Sequence, residues 1–105
     1  MIVSHLGIVR SFSRNGKTIS GLFVEFNKEK INEVIKDTKS RPGIVDIIVE
    51  TSPGYHKVGD AILAVMVAGD IRENVFPALI DAVNRLKKEA SKKKEELLVK
   101  RNTSQ

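Results

Sequence analysis

The sequence predicts a single, soluble α+β domain, and three observations lead there. Short β-branched and apolar segments are separated by Asn-Gly, Pro-Gly and Gly-Asp turn signals. One segment, Ala61 to Ala68 (AILAVMVA), is almost wholly apolar, as a strand covered on both faces should be. The C-terminal third carries apolar residues at helical spacing, with lysines along one edge. At 105 residues the chain holds one core, because a second would have too little apolar surface to bury.

Taken in order, Leu6 to Arg10 reads as a short strand and Thr18 to Phe26 as a second. Asn15-Gly16 between them is a hairpin signal, since both residues accept positive φ. Asn27 is placed to cap a helix over Lys28 to Thr38, whose buried stripe is Ile31, Val34 and Ile35. Arg41-Pro42-Gly43 ends that helix, and Ile44 to Glu50 follows as a strand. Thr51 to Asp60 reads as a loop punctuated by Pro53-Gly54 and Gly59-Asp60, with Asp60 stabilising its own turn. The apolar strand Ala61 to Ala68 comes next.

The last helix begins between Asp70 and Asn74. Asp70 and Glu73 have capping-box spacing, but that start would put Pro77 inside the helix. A start at Asn74 leaves Pro77 in the first turn, and that later start is preferred. Val75, Leu79, Val83, Leu86 and Ala90 then form one apolar stripe. With about 100° per residue, Lys87 and Lys94 lie roughly 60–80° to one side of it, about 10 Å apart. Lys88 and Lys92 point into water. Lys93 would fall back on the stripe if the helix continued, so a bend or fray is expected near Ser91. A lysine at the margin packs its stem on the core and holds its ammonium in place, as an anion pocket requires; the same position also suits a lysine that merely snorkels. The segment 1–96 is read as the domain and 97–105 as a polar, frayed tail.

Composition narrows the chemistry. Without cysteine there is no disulfide, thiolate metal site or cysteine nucleophile. The start of the chain lacks the pattern of a signal peptide, and no stretch has the ~18 apolar residues of a membrane span, so a cytoplasmic setting without membrane contact is expected. His5 and His56 lie far apart, with no second ligand at metal spacing, and are read as structural or surface residues. No nucleotide-binding or nucleophile-elbow motif is present, so neither a metal nor a cofactor is expected. Catalysis would fall to positioned Arg and Lys groups, as charge stabilisers or as an activated amine. The net charge of +5 is uneven: Lys87 to Arg101 holds seven basic residues against three Glu, and the remainder of the chain is nearly balanced. A solvated helix end explains such a run, since cations suit the C-terminal dipole.

The ordered segments Gly7-Ile8-Val9-Arg10, Leu22-Phe23-Val24-Glu25, Gly54 with Val58-Gly59-Asp60-Ala61-Ile62, Val67-Ala68-Gly69-Asp70-Ile71-Arg72, Phe76, Leu86-Lys87 and Lys94-Glu95-Glu96 resemble the large, catalytic subunit of molybdopterin synthase. The resemblance runs from about Leu6 to Glu96. It implies an α/β hammerhead-like domain with antiparallel strands, one short helix and one long C-terminal helix. It also implies a homodimer within a heterotetramer, whose partner is a small ubiquitin-like sulfur carrier ending in Gly-Gly and bearing a thiocarboxylate. The implied activity is a sulfurtransferase reaction on a cyclic pyranopterin monophosphate in molybdenum cofactor biosynthesis. Position by position, Arg10 and Arg72 would bind substrate anion. Lys87 would meet the partner's C-terminus and take part most directly. Lys94 would join Lys87 as a catalytic and substrate-binding group, with Glu96 beside it. Ile71 stands where the family pattern has His. Two other readings remain: a homologue that binds the carrier's tail without turnover, and a basic nucleic-acid binder, the latter lacking stacking aromatics and any recognised motif.

Overall fold

A computed structural model describes residues 1–10 and 19–97, with the side chains of 19, 20 and 94–97 outside that description. The element order is β1 (Ile2–Ile8), β2 (Ile19–Phe26), α1 (Lys28–Lys39), β3 (Ile44–Thr51), β4 (Gly54–Lys57), β5 (Ala61–Gly69), α2 (Arg72–Glu89) and β6 (Ser91–Leu97). The strands form two antiparallel three-stranded sheets, β1-β5-β3 and β4-β2-β6. With two helices packed on them, the α+β class is as the sequence predicts. The Asn15-Gly16 turn and the tail beyond Leu97 lie outside the described residues.

β5 is central in its sheet, which explains its composition. Ile62, Leu63, Val65 and Val67 are buried on it, and β1 and β3 satisfy its two edges. α2 lies over β5 and β1 and also packs on α1. Its stripe of Val75, Leu79, Val83, Leu86 and Ala90 is buried as expected, joined by Ala78 and Ala82. The alanines let the helix approach the sheet closely. α1 buries Ile31 and Val34, and the Asn27 side chain accepts the Lys30 amide at 3.1 Å as its N-cap. On the solvent side Arg85 of α2 ties the helices together, donating to Asp37 at 2.8 Å.

Four boundaries differ from expectation. β1 begins at Ile2 rather than Leu6, because Ser4 lies on the exposed face of a strand whose inward face is Val3, His5 and Gly7. The supposed loop contains β4, whose four residues gain a partner only from β2. α2 begins at Arg72, two positions before Asn74. Asp70 organises that start by accepting the Ile71 amide at 2.6 Å and the Asn74 side-chain amide at 3.0 Å. Pro77 is therefore inside the helix. The bond it cannot make would go to the carbonyl of Glu73, an exposed residue that water can serve. Finally, the helix ends at Glu89 and the chain continues as β6. No described helix is long and apolar enough to cross a membrane.

Candidate functional site

The end of α2 is where the two sheets meet. The Ala90 amide donates to the Leu86 carbonyl, and the Ser91 hydroxyl donates to the Lys87 carbonyl at 2.9 Å. The Asn27 amide, at the exit of β2, donates to the Ala90 carbonyl at 2.8 Å. The chain then turns back along β2, pairing Ser91 with Phe26 and Lys93 with Val24. On the opposite wall the end of β1 is fixed to the β4–β5 turn: the Val9 amide donates to the Asp60 carbonyl at 2.9 Å, and the Gly59 amide donates to the Val9 carbonyl at 2.8 Å. Asp60 holds that turn as the sequence suggested, accepting the Lys57 amide at 2.9 Å. Its carboxyl lies below the usual carboxylate range, chiefly because of that bond.

Between these walls lies an open cleft of about 500 Å³. Its apolar floor includes Ile62, Leu63 and Phe26; its polar lining includes His5, Arg10, Lys87, Ser91 and Lys93. The cations come from three elements or their ends, and no carboxylate lines the cleft among the described residues. A site with fixed positive charge over an apolar floor suits an anionic ligand with a flat or apolar body.

His5 belongs to this lining. Burial, and after it the positive charge of Lys87, push its imidazole below the ordinary histidine value. Its Nε2 is buried and has no hydrogen-bond partner among the described residues.

The structure thus brings together Arg10 and Lys87 of the expected set. Arg72 is elsewhere: it begins α2, is exposed, and pairs with Glu73 at 3.6 Å. The fifteen helical positions from it to Lys87 correspond to about 22 Å along the axis. Lys94 is a strand residue opposite Phe23, so the expected helical relation between Lys87 and Lys94 does not exist. Glu96 is likewise on β6, opposite Gly21, and both side chains lie outside the described residues. Lys93 lines the cleft instead. Ile71, at the N-cap of α2, is exposed. Sequence reasoning missed His5 as a site residue. The signal was available in the period-two face that His5 shares with Gly7, two residues before Val9 and three before Arg10. Among the described residues no group of three or more His, Cys, Asp or Glu is gathered to hold a metal ion.

Comparison with known proteins places this architecture. The sequence matches the family described as MoaE protein over residues 1–89. An uncharacterised protein of Methanocaldococcus jannaschii is 26% identical over 91 residues, covering 83% of this chain and 76% of that relative. Molybdopterin synthase from Staphylococcus aureus superposes with a TM-score of 0.79 at 20% identity, covering 92% of this chain and 74% of that one. A molybdopterin biosynthesis MoaE protein from Burkholderia ambifaria gives 0.74 at 22% identity, covering 90% and 63%. A complex of subunits 1 and 2 of molybdopterin-converting factor from Helicobacter pylori gives 0.69 at 18% identity, covering 93% and 70%. At these identities the structural likeness establishes the fold.

Proposed function

This chain belongs to the MoaE protein family, and on that premise we propose that it is the large subunit of a molybdopterin synthase in molybdenum cofactor biosynthesis. In this reading it transfers sulfur from a thiocarboxylated, ubiquitin-like partner ending in Gly-Gly to cyclic pyranopterin monophosphate. The observation that carries the reading is the cleft at the end of α2, lined by Arg10, Lys87 and Lys93 over an apolar floor. That similar folds include a complex of molybdopterin-converting factor subunits supports a small partner.

The chemistry asks little of the protein beyond position and charge. The substrate is a phosphate ester with a fused pterin ring system, which suits cations set above Ile62, Leu63 and Phe26. Sulfur transfer from a thiocarboxylate passes through a carboxyl-type intermediate whose oxygens gain negative charge, and a fixed ammonium stabilises them. Lys87 is assigned that role and Arg10 the substrate anion. Lys94 keeps its assignment as a second catalytic and substrate-binding lysine, now presented from β6. Arg72, about 22 Å along α2 from Lys87, reaches a cleft only if a second copy supplies it, which fits a homodimer within a heterotetramer. The exposed apolar residues Ile2, Leu6, Ile48 and Met66 on the outer face of the first sheet support such an assembly.

The test is reconstitution. The purified chain is mixed with a thiocarboxylated partner and the pterin precursor, and dithiolene product is measured beside a competent large subunit. Product formation is expected. Tight partner binding without product would leave a tail-binding homologue as the correct description.

A further inference from the structure

Among the polar groups of the cleft, His5 has no task in the reading above. It reaches the cleft from the middle of β1, on the inward face, and its Nε2 is buried without a partner among the described residues. An unpaired buried nitrogen carries a desolvation cost that a ligand can remove by completing its hydrogen bond. The surroundings restrict which ligand that is. Lys87 faces the imidazole from α2, Lys93 lines the same cleft from β6, and Arg10 follows the end of β1. From β5 and β2 come Ile62, Leu63 and Phe26, which are apolar. No carboxylate among the described lining residues is there to charge the ring. The neighbour two positions along the strand is Gly7; an added Cβ would lie 3.7 Å from Nε2, so the glycine leaves a small space beside the buried nitrogen.

We propose that His5 is a further anion-binding group of this cleft, taking up a proton as an anion enters and donating its Nε2–H to the phosphate or carboxyl group held by Arg10 and Lys87. Burial, and after it the charge of Lys87, favour the neutral imidazole in the empty site; a bound anion offsets the Lys87 field and gives the buried nitrogen a partner, and so favours the imidazolium, which has two donors. Anion binding and proton uptake are then linked at one side chain. The inference rests on the cleft being an anion site, as proposed above, and is independent of whether sulfur transfer takes place there.

Sulfate is the probe, because its charge does not change across the range in which histidine titrates. The chain has only two histidines, so both ring Cε1–H signals can be followed by NMR. His56 serves as the control: its Nε2 lies 2.7 Å from the Ser52 carbonyl and its Nδ1 is 3.4 Å from Asp60. Saturating sulfate is expected to raise the titration midpoint of His5 and leave that of His56 in place. By calorimetry, His5→Phe should weaken sulfate binding at least about threefold near pH 5.5, and less than about twofold near pH 8. The proposal is overturned by equal shifts at the two histidines, by unchanged affinity of His5→Phe near pH 5.5, or by no sulfate binding to the wild type. The NMR titration decides the matter if His5→Phe does not fold. Loss of turnover in the reconstitution with intact, His5-linked sulfate binding would remove the sulfur-transfer reading and leave this inference standing.

Discussion

The Ser91 hydroxyl and the Lys87 carbonyl are joined at 2.9 Å across the point where α2 becomes β6. That bond closes the last turn of the helix just before the chain reverses. It therefore helps place Lys87 on one wall of the cleft and Lys93 on another. Ser91→Ala is expected to lower stability by about 0.5–1.5 kcal/mol, the net worth of one such bond. Urea denaturation measures this, and an unchanged midpoint would show that the strand pairing alone sets the reversal.

Lys87 and Lys88 are neighbours with different surroundings, since only Lys87 lines the cleft. In the reconstituted reaction Lys87→Ala should lower kcat on the order of 10²-fold or more, the usual effect of removing one charge-stabilising donor. Lys88→Ala should stay within about twofold. Partner binding should survive in both. Equal losses would mean that the positive charge acts only in bulk.

The depressed His5 imidazole makes stability depend on pH. The unfolded chain binds a proton near the ordinary value of 6.5, whereas the folded chain resists it. Stability therefore falls as pH drops through the unfolded value, and the loss levels off below the folded one. His5→Phe should lack this component, so the wild type should lose ground to it on acidification from neutral pH. Sulfate should reduce the wild-type loss. Parallel pH–stability curves for the two proteins would refute the account.

Two glycines with positive φ allow a separation of strain from crowding. At Gly43 (φ 78) an added Cβ would collide with the side chains of Asp70 and Asn74, which organise the start of α2. At Gly59 (φ 97) nothing lies within 4 Å. Gly59→Ala should thus cost about 1 kcal/mol of backbone strain, and Gly43→Ala clearly more. Thermal melts compare the two, and a larger effect at Gly59 would contradict the packing described.

Much of the core was legible because period and burial agree. The stripe from Val75 to Ala90 and the apolar run of β5 are each dictated by local pattern. β6 was not legible. Ser91–Leu97 reads SKKKEEL, rich in good helix formers, and it becomes a strand only because β2 offers a free edge. That one override moved Lys94 off the helix and placed Lys93 in the cleft. Lys87 is marked both by its place at the edge of the helical stripe and by the resemblance, Arg10 by the resemblance alone, and the two line one cleft. The period-two face that His5 shares with Gly7 becomes readable only once β1 is known to start at Ile2.

The reversal into β6 also bears on what the cleft depends on to come into being. Its pairing with β2 joins Phe26 to Ser91, some 65 positions apart in the chain. Ile2 and Ala68 pair across a similar span of about 66 positions, so the core sheet and this wall of the cleft both rest on contacts distant in the chain. Lys93 takes its position in the cleft through the pairing of β6 with β2. Competence to receive a ligand is thus a consequence of topology as well as of the residues that touch the ligand.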